Sequence, residues 1–250
     1  MTTVTNIPVS LCEYALVNRK VNQLKLYIYL KLNSDGYIRF DETSIKKCSE
    51  TIGIHIKTVK SSLKWLVKNK WITINSKRQV LHVTSYNRLK NKLKTNVKTG
   101  AFIDLKDTAE YKLFEALCCA IVITYYLGRK HYFDKWSERK YGGSNTNHNK
   151  VKGFYPMPNG YLAKCLNLSI STAYRIKQKA EDAGYIKTKS NNIFLEKEDG
   201  SRIDKDYFEL IRSVELKEGK PDRLRKGRKY IKFVSADLIK STVKCKKKGY

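Results

Sequence analysis

The sequence predicts a mainly α-helical chain with small β-hairpins, an α+β protein built from two related domains, and three observations lead there. Residues 52–74 (IGIHIKTVKSSLKWLVKNKWITI) and 166–188 (LNLSISTAYRIKQKAEDAGYIKT) align without a gap at a spacing of 114 residues. A repeat of this kind bounds the architecture before any single element does. Within each copy, apolar residues recur at three- and four-residue steps, the period of a helix that buries one face. Short alternating runs around polar tips then follow, the pattern of hairpin strands.

Taken in order, residues 7–17 (IPVSLCEYALV) predict a short helix entered from an Ile-Pro step. Residues 23–31 predict a second, with Leu24, Tyr27, Ile28 and Leu32 on one face. Ser34-Asp35-Gly36 reads as a turn, residues 37–40 as a brief strand, and Asp41 as the cap of a helix over 42–52. Gly53 is suited to a left-handed turn, after which the chain restarts at His55, a poor N-cap. In the helix that follows, Val59, Ser62, Leu63 and Leu66 form the inner face, and Lys57, Lys60, Ser61, Lys64 and Lys68 the outer one. Residues 71–75 and 79–84 flank Ser76-Lys77-Arg78 as a hairpin with a cationic tip.

Residues 85–99 are rich in Lys and Asn and fit either a helix or a basic linker. Residues 104–127 are the most apolar segment, the first helix of a second domain or a seam between two copies of the chain. Residues 128–153 interrupt the repeat. Their first part extends the helix, and 142–150 form a loop. Asp104 and Asp107 read as helix caps. The second copy runs from about residue 159, with Asn167 at the turn, Ser169 as N-cap, and Ala173, Ile176, Ala180 and Ala183 turned inward. Its outer face carries Ser171, Tyr174, Arg175 and Gln178. A second hairpin is expected from 185–189 and 193–197 about Ser190-Asn191-Asn192, and residues 230–239 read as a further echo of 80–89. The domain expectation is therefore 1–90, a basic linker 91–103, and 104–250 with an inserted loop at 128–153 and an extended basic wing and tail.

Helix, turn, helix and hairpin in both copies resemble the winged helix-turn-helix family, and residues 58–72 are similar to its recognition-helix pattern. Two such units in a chain of this length also resemble replication initiators of plasmids and phages, and transcription regulators of mobile elements. The resemblance implies double-stranded DNA as partner, with the second helix of each motif in the major groove, where all four base pairs differ. Lys57, Lys60, Ser61 and Lys64 would then face DNA from the first copy, and Ser171, Thr172, Tyr174, Arg175 and Gln178 from the second. Arg175 suits guanine and Gln178 adenine, while Thr58 and Thr172 suit phosphate. The wings would bring Lys77 and Arg78, or Lys187 and Lys189, to the backbone or minor groove. A regulator of this type is expected to meet a palindromic site as a homodimer.

Composition agrees with such a partner. The chain has 51 Lys+Arg against 23 Asp+Glu, a net charge of +28, and self-repulsion on that scale is relieved by a polyanion. No basic amphipathic helix with Trp and Leu opposite its charges suggests a membrane surface. The segment 104–127 is interrupted by Glu115 and is short of the ~20 apolar residues of a bilayer span. The six cysteines form no CxxC pair, and none of the four histidines forms a His-x-His pair. A GxxxxGK[ST] loop is also absent. The expectation is no enzyme, no cofactor, no metal and no small-molecule ligand. With no secretory leader at MTTVTNIPVS, an intracellular place on DNA is expected.

Overall fold

A computed structural model describes residues 4–34, 36–39, 41–75, 80–95, 99–105, 108–141, 153–189, 223–226, 229–232 and 237–247. The fold is mainly helical with small antiparallel sheets. It divides into two units, one of residues 1–132, 159–187 and 241–250, the other of 133–158 and 188–240.

The first unit opens with strand β1 (Val4–Pro8) and helices α1 (Val9–Val17) and α2 (Val21–Leu32). A one-sided α2 was expected, but seven successive residues, Leu24 to Leu30, are buried. The helix is enclosed by α1, by α3 (Glu42–Ile52), by α4 (Ile56–Lys68) and by a strand of the first hairpin, so its middle turns have no solvent face, while its first turn stays open at Asn22. Strand β2 (Tyr37–Arg39) precedes α3. Asp41 Oδ1 accepts the Ser44 N–H at 2.8 Å, as a cap should, and that bond holds the Asp41 carboxyl below its ordinary pKa. After α4 come β3 (Ile72–Asn75) and β4 (Val80–Val83), in a sheet of order β2-β4-β3. The hairpin tip with Lys77 and Arg78 lies outside the described residues.

Within the segment 85–99, Tyr86–Lys92 form a helix, α5, whose cap Ser85 accepts the Arg88 N–H, and residues 96–98 lie outside the described residues. The expected linker over 91–103 ends instead in strand β5 (Thr99–Asp104). Asp104 is thus a strand residue rather than a helix cap, and Asp107 lies outside the described residues. Helices α6 (Thr108–Lys112) and α7 (Phe114–Tyr141) follow, with an unbroken buried run from Ala116 to Ile123 in α7. That helix takes in the first part of the 128–153 interruption, while 142–150 lie outside the described residues. Among the described residues no helix is long and apolar enough to cross a membrane.

The other unit holds β6 (Tyr155–Pro156). The second copy of the repeat supplies α8 (Asn159–Leu166) and α9 (Ile170–Asp182) to the first unit, and β7 (Ile186–Lys189) continues from there. Strands β8 (Arg223–Lys226) and β9 (Lys229–Lys232) pair with each other, so residues 230–232 do not echo the first hairpin. That role falls to β10 (Leu238–Ser241), in a sheet of order β6-β10-β7. Leu238 and Ile239 pair with Pro156 and Tyr155. The expected partner strand 193–197 and the turn 190–192 lie outside the described residues.

A third sheet in the first unit, of order β1-β5-β11 with β11 at Cys245–Lys247, had no sequence forecast. Ile7 pairs with Ala101 and Pro8 with Gly100. Gly100 is needed for close approach: a Cβ there would stand 2.9 Å from Asn6 Cγ and 3.0 Å from the Ile7 carbonyl oxygen. Gly100→Ala is therefore expected to cost about 1–3 kcal/mol by overpacking, read by urea unfolding, and Asn6→Ala in the same chain should recover part of the loss.

Candidate nucleic-acid interface

The two copies share most of the backbone bonds around their turns, with one step out of register: Gly53 N–H reaches the Ser49 carbonyl and Asn167 N–H the Lys164 carbonyl. Gly53 and Asn167 both take left-handed backbone, φ 65° and 52°. Ile54 and Leu168 N–H each reach back five residues, to the Ser49 and Ala163 carbonyls at 3.3 and 2.9 Å. Helices α4 and α9 are each 13 residues long and are followed by left-handed Lys70 and Gly184, φ 54° and 74°. Trp71 and Tyr185 N–H then bond Leu66 and Ala180 carbonyls at 2.9 and 3.0 Å. Further on, Thr84 N–H and Thr242 N–H close onto the Trp71 and Tyr185 carbonyls, both at 3.0 Å. Each helix is thereby held at both ends by backbone bonds that are indifferent to its outer side chains.

On α4, Val59, Ser62 and Leu66 are buried, with Leu63 only half-buried. Lys57, Lys60, Ser61 and Lys64 are exposed and Thr58 is half-buried. His55 serves as the N-cap despite the poor expectation: its Nδ1 accepts the Lys57 N–H at 3.1 Å. Lys60 Nζ meets Glu42 Oε1 at 2.9 Å, and these side chains are 46% and 78% exposed. An ion pair so wet is worth under ~1 kcal/mol, so a phosphate can displace the carboxylate. Ser61 Oγ donates to the Thr58 carbonyl at 3.1 Å.

On α9, Ala173, Ile176 and Ala180 are buried as expected, whereas Ala183 is half-buried and Lys177, in the place of Leu63, is buried. Ser169 Oγ accepts the Thr172 N–H at 3.2 Å and lies 3.0 and 2.8 Å from the Ser171 and Thr172 hydroxyls. These two hydroxyls therefore belong partly to the cap. Tyr174, Arg175 and Gln178 are exposed, in one stretch of the outer face. Lys179, on the same helix, is tied to Glu115 at 2.5 Å.

Lys187 and Lys189 are both exposed on β7. In the second unit Lys189 Nζ sits 5.0 Å from the Phe154 ring centroid, and Lys240 Nζ lies 6.0 Å from the same ring. A cation over a ring face keeps its charge while fixing its position.

Sequence reasoning missed Ile56 and Ile170, the equivalent residues that open the two helices. They are 37% and 62% exposed, apolar groups beside the polar outer faces. Spacing alone sets them in line with Val59 and Ala173 on the inner face, and does not show that the first turn is exposed. An exposed methyl at this place suits contact with a thymine methyl.

Other chemistry is scarce. Among the described residues no group of three His, Cys, Asp or Glu is placed to hold a metal ion. Burial pushes the Cys48 thiol up to about 12 and the Cys245 thiol to about 11, so neither is a thiolate nucleophile near neutral pH. Compared with family models, curated proteins and solved structures, the chain matches none.

Proposed function

We propose that the chain is a tandem winged helix-turn-helix protein that binds double-stranded DNA in a sequence-specific way, inside the cell and without catalysis. The observation that carries this reading is the pair α4 and α9. They are helices of equal length with matching backbone bonds at their C-terminal ends, each with a buried, largely apolar inner face and a polar or cationic outer face. The strand orders β2-β4-β3 and β6-β10-β7 support a wing after each. A net charge of +28 supplies the attraction to phosphate that such binding needs.

The two helices divide the work. Helix α9, with Tyr174, Arg175 and Gln178, reads bases; α4, with Lys57, Lys60 and Lys64, grips the backbone. The biological role is that of a transcription regulator or a replication initiator of a plasmid, phage or other mobile element. Selection of bound sequences from a random duplex pool tests this. Iterated direct sites identify an initiator, and a single palindrome a dimeric regulator. Recovery of no motif overturns the proposal in favour of a non-specific structural or RNA-binding protein.

A further inference from the structure

The first unit contains a cleft of about 280 Å³ lined by Leu16, Arg19, Val21, Asn22, Lys25, Lys112 and Glu115, none of them assigned to DNA above. Three cations face one carboxylate, and Glu115 is already committed to Lys179. The lining is thus left strongly positive.

Lys25 is the informative member. It is only 7% exposed, and the one hydrogen bond it makes among the described residues is to the Ile52 carbonyl at 3.2 Å. An ammonium carries three donors, and burying it costs several kcal/mol unless charge and hydrogen bonds compensate. Burial accordingly pulls its pKa below the ordinary lysine value, with Cys118 and Glu115 acting weakly in the opposite sense. A residue in this state gains by having an anion brought to it. The first turn of α2 adds to the field. Its N-cap, Lys20, makes no side-chain cap bond, and Val21 and Asn22, the first two residues of this 12-residue helix, line the cleft, so the positive end of the helix dipole lies at it. Arg19, at the turn between α1 and α2, and Lys112, at the end of α6, are exposed and complete the rim.

We propose that this cleft binds a phosphate dianion, the group carried by a small phosphorylated molecule or by the 5′ end of a nucleic-acid strand. A monoester with two charges matches three cations and one engaged carboxylate better than the single charge of a backbone diester. The cleft volume also leaves room for more than the phosphate itself.

The test uses the full chain. Inorganic phosphate and adenosine 5′-monophosphate are titrated by calorimetry and by thermal shift, with sodium chloride at equal ionic strength as reference. Both are expected to bind and to raise Tm beyond the chloride reference. The double variant Arg19→Gln/Lys112→Gln should weaken binding by about tenfold or more, roughly 1.4 kcal/mol. Lys46→Gln/Lys47→Gln removes the same charge from exposed positions of α3 and should leave affinity within about twofold. Wild-type chain that binds phosphate no better than chloride overturns the proposal, as does equal loss in the two double variants. A preference for 5′-phosphorylated over 5′-hydroxyl oligonucleotides, abolished by Arg19→Gln/Lys112→Gln, assigns the phosphate to a strand end. Nucleotide binding without that preference assigns it to a small molecule. Because duplex selection does not depend on these residues, the cleft and the DNA-reading proposal stand or fall separately.

Discussion

Trp71→Ala should lower stability by about 3–5 kcal/mol, the usual range for emptying a large buried aromatic site, and shift the urea midpoint accordingly. Trp71 is 2% exposed and sits in a cluster with Tyr14, Tyr27 and Trp65, at centroid distances of 5.9, 5.3 and 5.5 Å. The Tyr27 and Trp65 rings meet it nearly edge to face, at 85° and 65°, a geometry that adds to simple burial. Three helices, α1, α2 and α4, thus converge on the residue that precedes β3. Tyr185, its counterpart, is only half-buried, so Tyr185→Ala should cost less than half as much. A loss below about 1 kcal/mol for Trp71→Ala, well short of core truncation values, would show that the cluster does not hold the first copy together.

Arg175→Ala and Lys64→Ala should both weaken DNA binding, but in different ways. If Arg175 forks onto a guanine edge, its loss costs about 1–3 kcal/mol on the preferred site and little elsewhere, so discrimination between sites collapses. Arg175→Lys should not restore it, since an ammonium lacks the planar fork. Lys64→Ala should weaken every duplex alike and reduce the salt slope by about one. Titrations at several salt concentrations, on the selected site and on a scrambled one, separate the two. Indistinguishable behaviour would end the assignment of α9 to bases and α4 to phosphates.

The parts legible in sequence were those fixed by local rules. The Asp41 cap, α3, α4 and α9 follow from side-chain capping and helical spacing, and their exposed faces were read residue by residue, with Ile56 and Ile170 the exceptions. What escaped was set by distant chain. The β1-β5-β11 sheet pairs residues 92 to 100 positions apart on one side and 144 to 148 on the other, and nothing local in Thr99–Asp104 marks a central strand. The same holds for β10, which completes its sheet from beyond residue 200, and for Lys25, whose burial depends on its surroundings and not on its neighbours in sequence. The Lys60–Glu42 pair likewise joins α4 to α3 across a turn, so the cationic face of α4 is less free than its composition implies.

The sheet that joins the chain's beginning, middle and end also sets an order of events on the ribosome. β1 precedes β5 in the chain and has no strand partner on either side until Thr99–Asp104 has cleared the exit tunnel, and unpaired strands invite pairing with the wrong chain. β11 arrives last and seals the other side of β5. Nascent chains halted before Thr99–Asp104 has emerged should therefore aggregate more readily than chains halted after it has, however well their helices have formed.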